Sequence, residues 1–443
     1  MIFSNQDLKK LIIPLVIEQL LSITVGLADT LMVSRIGEAA VSAVSIVDQI
    51  NILLINIFAA LGTGGAVLTS QYLGQKNYEG ARSSAKQLIM VTAVISSVIM
   101  LLALAFNSFI LSGIYGSIEA DVMNNAKTYF YLTALSFPFI ALYNGGAALF
   151  RAIGNSRISM NNSLIMNAIN ITLNAIFIYG FNLSVFGAAL ATLIARTVAC
   201  VVTLKKLTVR NNGDFYIDNY HSWHIEIDNI SKILTVGIPS GFENGLFQLG
   251  KLLVASLITT FGTYAIAANA VCNNFFQLQY MPAAAIGTAM LTVISRCVGA
   301  DDYQQAKYYI RKLMGYAYLA MILGSVCIFI AMPFILPLYN LSELSLSLAR
   351  TCIIYHLIVT ALIWPIGFAF PNCLKGAADV RFTMVVSVAS MMIFRVGGSY
   401  ILGKYFNLGL IGVFTAMFID WVCRVIFFIA RYRSGKWMNR KLV

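Results

Sequence analysis

Twelve long apolar stretches dominate this chain and limit what it can fold into. Each is long enough for a helix to cross a hydrocarbon layer about 30 Å thick. Only 11% of the residues are charged, against about a quarter in an ordinary soluble domain. We therefore predict an all-α polytopic membrane protein with twelve transmembrane helices. The predicted spans are residues 11–34, 46–70, 87–110, 127–150, 158–179, 186–204, 233–260, 271–294, 313–336, 350–374, 383–402 and 411–430.

The distribution of basic residues predicts the orientation of these spans. The net charge is +12, with 30 Lys and Arg, and such a charge would also suit a nucleic-acid partner. However, 22 of the 30 lie on the side of the membrane that holds both termini, four lie on the other side and four lie within spans. By the positive-inside rule both termini are cytoplasmic. We expect a monomeric, multi-pass protein of the inner (cytoplasmic) membrane, with no nucleic-acid partner and no cleaved signal segment.

The sequence repeats itself at an offset of 225 residues, a feature typical of transporters that arose by duplication. The offset aligns Glu18 with Glu243 and Tyr78 with Tyr303, and such polar matches are informative in a chain so rich in apolar residues. Six spans per copy is an even number, so both copies enter the membrane from the same side. We predict two pseudo-symmetric six-helix bundles, a parallel 6+6 repeat, that face each other across a central cleft.

The repeat divides the chain into four predicted parts. The N-lobe, with helices 1–6, covers residues 1–207, and the C-lobe, with helices 7–12, covers residues 233–432. Between them, the most polar stretch of the chain, residues 208–232, is predicted to be a cytoplasmic linker that lets the lobes rock. Residues 433–443 form a basic cytoplasmic tail.

Several short motifs are spread over nearly the whole chain. The first span runs from Pro14 through the letters DTLMV to Gly37, and three loop segments read GQKNYEGAR at 74–82, LFRAIGNSR at 149–157 and GADDYQQAK at 299–307. Together they resemble the first-helix pattern and the loop signatures of the multidrug and toxic compound extrusion (MATE) family. The resemblance implies secondary active efflux of a substrate, often an organic cation, against inward movement of H⁺ or Na⁺.

Asp29 is the first candidate functional residue. Placing an ionisable side chain within a membrane span costs a few kcal/mol of insertion free energy, so such residues usually have a function. An ion pair with Arg196, the only cation within the N-half spans, is the structural alternative. On span 5, Asn170 and Asn174 share a face, and with Thr192 they match positions where the family places oxygen ligands. Asn174 stands where several relatives have a second aspartate. The coupling ion therefore stays open between Na⁺ bound at Asp29 and H⁺, which we favour.

A second group of polar residues is predicted to line the substrate cleft. Glu18 lies eleven residues before Asp29, about three helical turns, so the two carboxylates point in the same direction. Its repeat partner Glu243 shares span 7 with Lys251. We expect one of two arrangements. Glu243 and Lys251 form ion pairs in the C-lobe core, with each other or with residues of another helix, or they form a cleft wall that contacts substrate. The other predicted cleft residues are Asp48, Gln49, Asn273 and Asn274.

A third group is interpreted as structural. Asp420 and Arg424 stand four residues apart on span 12, a spacing that favours a pair within one helix. Together with Arg395 on span 11, they are predicted to form structural ion pairs.

These residues predict a secondary active antiporter that exports a small organic substrate, of the multidrug or organic-cation type, in exchange for H⁺ or Na⁺ by alternating access of two lobes. A flippase-like exporter of an amphipathic lipid or lipid-linked glycan is the alternative. We expect no enzymatic activity and no cofactor, because the sequence shows no nucleotide-binding loop, metal-ligand cluster or Ser/His/Asp arrangement. The copies differ in charge, since Val254 stands opposite Asp29 and Gly26 opposite Lys251.

Overall fold

A computed structural model describes residues 2–116, 118–209, 215–217, 224–339 and 341–443, with all of their side chains except those of Leu27 and Thr30. Secondary structure within these residues is helical throughout. The helices of the first half are α1 (Asn5–Ser34), α2 (Glu38–Gly74), α3 (Tyr78–Ala105), α4 (Asn107–Tyr115), α5 (Ala120–Leu135), α6 (Phe137–Ala152), α7 (Ser156–Ala175) and α8 (Ser184–Thr208). A π-helical turn, Ile176–Gly180, extends α7.

The second half repeats this pattern. They are α9 (Ile227–Thr259), α10 (Thr263–Gly299), α11 (Tyr303–Ile335), α12 (Glu343–Trp364), α13 (Pro371–Gly376), α14 (Val380–Ser390) and α15 (Gly409–Arg433). Short π-helical segments join α12 to α13 and extend α14, and 3-10 turns follow α11 and α15. They are Leu336–Tyr339, Pro365–Ala369, Met391–Gly397, Tyr400–Tyr405 and Lys436–Asn439.

Most of the described helical segments are long and apolar enough to cross a membrane. Within the described ranges, ten helical segments meet this condition, and α5 with α6 makes an eleventh that is bent by 47°. The bend falls at Ser136, two residues before Pro138, where proline cannot donate a helical hydrogen bond. At 33 residues α9 is also long enough, but Glu243 and Lys251 lower its mean hydropathy. With α9 included, the helices correspond one by one to the twelve predicted spans.

The internal repeat is present in the backbone as well as in the sequence. Four pairs of residues with positive φ lie 225 residues apart, at the junctions between equivalent helices. They are Gly37 and Gly262, Lys76 and Asp301, Asn182 and Asn407, and Ser184 and Gly409. Because positive φ is uncommon for residues other than glycine, the recurrence of Lys76 and Asp301 at equivalent turns shows that the two copies share one backbone path.

The chain divides into two compact units, which differ slightly from the predicted lobes. The first unit is Asn5–Gly241, and the second is Phe242–Val443 together with Met1–Ser4. Residues 233–241, predicted to begin the C-lobe, thus belong to the first unit. Of the predicted linker, residues 210–214 and 218–223 lie outside the described part of the chain. The predicted lobe and tail boundaries otherwise remain predictions.

Close packing of glycines explains why the start of α9 belongs to the first unit. A Cβ atom added to Gly64 of α2 would lie 2.3 Å from the carbonyl oxygen of Ile233, and one added to Gly237 would lie 3.3 Å from Cα of Leu61. The two helices therefore approach closely only because both carry glycine at the contact. The N-terminal residues join the second unit because the backbone nitrogen of Phe3 donates to the Tyr309 hydroxyl at 3.0 Å.

Candidate functional site

Asp29 lies at the centre of a polar cluster built from three helices of the first unit. Nδ2 of Asn174 donates to Oδ1 of Asp29 at 2.8 Å, which ties α7 to α1. Asn170 lies one turn earlier on α7 and contacts both Asn174, at 3.3 Å, and the Thr192 hydroxyl of α8, at 3.2 Å. With its amide turned so that nitrogen faces Asp29, Asn170 donates to the two carboxylate oxygens at 2.9 and 3.1 Å. All four residues predicted for the cation site thus lie together.

Asp29 has no ion-pair partner in the part of the chain that the structure describes. Arg196, the structural alternative, instead donates from Nη1 to the Ser136 hydroxyl at 2.7 Å. Its guanidinium contributes to the electrostatic environment of Asp29 without a direct contact. The geometry therefore favours a carboxylate held by neutral amides over one neutralised permanently by an arginine.

A small cavity of about 130 Å³ opens beside Asp29. Asp48 and Tyr129 also line it, and Oδ1 of Asp48 lies 3.4 Å from the Tyr129 hydroxyl. The sequence places Asp48 in the substrate cleft with Gln49, whereas the structure places it in the same cavity as Asp29. Two carboxylates rather than one therefore face this space. Gln49 is exposed and lies outside the cavity.

Glu18 lies apart from this cavity. The Ser159 hydroxyl lies 3.1 and 3.2 Å from its two carboxylate oxygens and donates to this carboxylate. Nη1 of Arg151 lies 3.5 Å from the same hydroxyl. The predicted shared direction with Asp29 thus does not bring the two carboxylates into one cavity.

Glu243 forms an ion pair with a residue that the sequence did not single out. Nζ of Lys375, at the end of α13, lies 2.9 Å from Oε2 of Glu243, and both side chains are largely buried. The mutual pair of Glu243 with Lys251 is not formed, because eight residues of helix separate their Cα atoms by about 12 Å along the axis. The sequence does not distinguish Lys375 as the partner of Glu243, since it is one of several basic residues at the predicted cytoplasmic ends of spans.

Lys251 instead faces a larger cavity, of about 540 Å³, within the second unit. Arg395 lines the same cavity. Among the described lining residues only Lys251 and Arg395 carry a formal charge, and His356 and Tyr280 are ionisable. Most of the wall is aromatic or aliphatic. Of the other predicted cleft residues, Asn273 lines this cavity, whereas Asn274 is exposed and its Nδ2 lies 3.5 Å from the Tyr339 hydroxyl.

The predicted structural pair is present, but Arg395 does not belong to it. Nε of Arg424 lies 2.9 Å from Oδ1 of Asp420, and both side chains are buried. Arg424 also donates to the Ser387 carbonyl at 3.0 Å. Within the described residues Arg395 forms no ion pair, and its buried Nε has no hydrogen-bond partner. It projects from a different turn, into the cavity that contains Lys251.

Both copies of the repeat match one known protein family. A sequence model of the MatE family matches residues 14–176 and again residues 239–401, two segments of equal length that begin 225 residues apart. The chain belongs to the MatE family. Predicted membership of the MATE transporters is thereby confirmed, and this MATE protein is a multi-pass membrane transporter.

Individual relatives agree with this assignment over almost the full length. The chain is 25% identical to the probable multidrug resistance protein NorM of Thermotoga maritima, over 99% of this chain and 94% of that protein. It is also 25% identical to the multidrug export protein MepA of Staphylococcus haemolyticus, over 97% and 93% of the two chains.

Solved structures of MATE transporters share the fold. One in complex with MaD3S superposes with a TM-score of 0.90 at 20% identity, covering 98% of this chain and 96% of the other. An outward-facing multidrug resistance MATE transporter gives the same TM-score, identity and coverage. The predicted architecture, twelve helices in two pseudo-symmetric six-helix repeats, is confirmed by these matches.

Proposed function

We propose that this MATE transporter is a secondary active antiporter, which exports a small organic substrate in exchange for H⁺ or Na⁺ bound at Asp29. Both termini would lie in the cytoplasm, as the excess of basic residues on their side indicates. Its relatives include a probable multidrug resistance protein and a multidrug export protein, which supports an organic substrate. The observation that carries the proposal is the contact of Asp29 with the amide of Asn174.

Amide side chains suit a site that must hold and release a cation. With nitrogen facing Asp29, each amide stabilises the ionised carboxylate by a hydrogen bond. After a half-turn about its terminal bond, the same amide presents an oxygen, which can accept from a protonated Asp29 or coordinate Na⁺. Oδ1 of Asn174 is buried without a partner in the described structure, so the half-turn would break no hydrogen bond of this oxygen.

Of the two ions, we favour H⁺. A proton needs only Asp29 and one accepting oxygen, whereas Na⁺ requires several oxygen ligands and hence both amides turned at once. Cation binding would be coupled to transport if the ion at Asp29 stabilises one conformation of the transporter and the substrate stabilises the other.

Everted membrane vesicles separate the two ions directly. Vesicles that contain the protein would be given an acid-inside or a Na⁺-inside gradient. Accumulation of a panel of aromatic amines, quaternary ammonium ions and aromatic sulfonates would then be measured. The proposal expects at least one compound to accumulate under one gradient and to be released when that gradient is collapsed. Accumulation under neither gradient would contradict it.

The flippase alternative draws on the positive charge of the second-unit cavity. Proteins that move lipid-linked glycans need a strongly cationic cleft, and Lys251 and Arg395 have this sign. However, a volume of about 540 Å³ is that of a site for a drug-sized molecule, within the usual 300–1,000 Å³ range. We therefore retain export of a small organic substrate as the proposed function.

A further inference from the structure

The two cavities occupy equivalent places in the two repeats and carry opposite charges. The first-unit cavity is lined by Gly26, Asp29, Asp48 and Thr192. Residues 225 positions later, Lys251, Val254, Asn273 and Met417, all line the second-unit cavity. Both acidic positions are thus neutral in the second repeat, and a glycine has become a lysine. Arg395 likewise stands at the position of Asn170, so an amide that donates to Asp29 when its nitrogen faces the carboxylate is replaced by a guanidinium.

The two cations that line the second-unit cavity have no carboxylate as an ion-pair partner among the described residues. Glu243 is paired with Lys375 at 2.9 Å, and Asp420 with Arg424 at the same distance. Further along the chain, Asp379 is paired with Arg431 at 2.6 Å. Within the described residues, Lys251 and Arg395 form no ion pair. Arg395 is half-buried, whereas Lys251 is exposed beside the cavity. A half-buried cation without a counter-ion is costly, so an anion bound between the two would stabilise Arg395 and would also pair with Lys251.

Two residues of the cavity wall carry hydrogen-bond donors without acceptors. Nε of Arg395 and Nε1 of Trp421 are buried and have no partner in the described structure, and both residues line the cavity. Such donors are rare in folded proteins, and an acceptor group bound in the cavity would satisfy them after a small movement of either side chain.

Flat aromatic surfaces form much of the remaining wall. The ring of Trp364 stacks on the rings of Tyr280 and Phe368, with centroids 5.4 Å apart in each case. Nζ of Lys251 and Cζ of Arg395 lie 5.1 and 5.6 Å from the Phe247 ring centroid. A flat ring would stack on this wall, while a negative group would reach the cations beside Phe247.

We propose that the second-unit cavity binds a flat aromatic organic anion, bearing a carboxylate, sulfonate or phosphate, and that such anions are the substrates of this transporter. The inference rests on the proposed function for the step from binding to export. The MATE resemblance implies an organic cation as substrate, whereas this cavity would bind an organic anion.

The assignment is tested on the unaltered protein with three probes that share one ring system and are negatively charged, neutral or positively charged. Purified full-length protein in nanodiscs of zwitterionic lipid would be dialysed against 2-naphthalenesulfonate, 2-naphthol or (2-naphthyl)trimethylammonium. The sulfonate should bind at least about tenfold more tightly than the other two, since one charge contact of about 1.4 kcal/mol corresponds to this ratio. Equal binding of the three, or a preference for the ammonium probe, would overturn the proposal.

Variants locate the binding within the cavity. Lys251→Gln and Arg395→Asn, the second of which installs the residue of the first repeat, should each weaken sulfonate binding about tenfold. Lys251→Arg keeps the charge and should retain binding. Lys404→Gln removes the same charge from an exposed position of the second unit outside the cavity, and should change nothing. Unchanged sulfonate affinity in both Lys251→Gln and Arg395→Asn would place the probe elsewhere and overturn the proposal.

Two measurements on the unaltered protein, sulfonate binding and gradient-driven accumulation, separate this inference from the proposed function. If the wild-type protein binds the sulfonate selectively but shows no gradient-driven accumulation, the antiport fails and the anion site stands. If gradient-driven transport is intact and the probes bind without charge preference, the antiport stands and the anion site fails.

Discussion

Asn174 and Asp29 are joined by a 2.8 Å hydrogen bond between α7 and α1, and this contact places a neutral amide where an ion-pair partner would otherwise stand. The carboxylate is thereby oriented without being neutralised. In the proposed antiport, the charge of Asp29 would be available to a mobile cation.

Asp29→Asn is expected to abolish gradient-driven transport, lowering its rate at least about tenfold, because the variant cannot bind a cation by charge. The amide has nearly the same shape as the carboxylate, so the melting temperature should change little. The measurement is accumulation in everted vesicles. Asp121→Asn, which removes an exposed carboxylate of α5, is the matched control and should transport normally. Gradient-driven transport by Asp29→Asn at the wild-type rate would show that the ion binds elsewhere.

Asn174→Asp should increase the cation requirement of the site. It places a second carboxylate at hydrogen-bond distance from Asp29, and two like charges so close are stable only with a cation between them. Thermal stability of the variant should therefore rise with Na⁺, or with falling pH, more steeply than that of the wild type at constant ionic strength. Asn161→Asp, on the exposed side of the same helix, should show the wild-type dependence. A flat response in Asn174→Asp would argue against an ion site at Asp29.

Glu243→Gln should destabilise the second unit by about 3–5 kcal/mol, because it leaves Lys375 charged in a largely buried place. The double variant Glu243→Gln with Lys375→Met should recover much of this loss, since the unpaired charge is gone. Both are measured by thermal unfolding in detergent. Asp301→Asn breaks the exposed pair with Lys441 and should have no measurable effect. If Glu243→Gln is as stable as wild type but loses ligand binding, then Glu243 contacts substrate after all.

Gly64→Ala should lower stability by at least about 1–3 kcal/mol, because its Cβ would lie 2.3 Å from the Ile233 carbonyl oxygen, a backbone atom that cannot move aside alone. Gly113→Ala is the control, since a Cβ at that position of α4 meets nothing within 4 Å. It should be neutral or stabilising by about 0.5–1 kcal/mol. Equal melting temperatures of the two variants would mean that α2 and α9 do not pack as described.

Much of the fold follows from local and periodic features of the sequence. Apolar length predicts each span, and the match of Glu18 with Glu243 predicts the repeat that Lys76 and Asp301 later confirm in the backbone. The polar face of Asn170 and Asn174 was recognisable because residues four apart on a helix are neighbours. Their approach to Asp29 came from the family resemblance, which carries long-range information that spacing alone does not.

Other relationships were beyond the sequence. Asp48 shares a cavity with Asp29, and Glu243 pairs with Lys375 rather than with Lys251. Each depends on which helix face meets which neighbour across long sequence separations. Basic residues at span ends are numerous, so neither spacing nor charge distinguishes Lys375 from the rest.

The sequence by itself therefore determined the membrane class, the number of spans and the 225-residue repeat, because hydropathy, helix length and internal similarity are properties of the chain in one dimension. Only the tertiary structure decided which charges are paired and which are left over. Pairing depends on distances of a few ångströms between side chains from different helices. From the sequence, Arg395 was predicted to belong to a structural ion pair, and Lys251 either to an ion pair or to the cleft wall. Packing places the two together in a cavity whose described lining has no carboxylate.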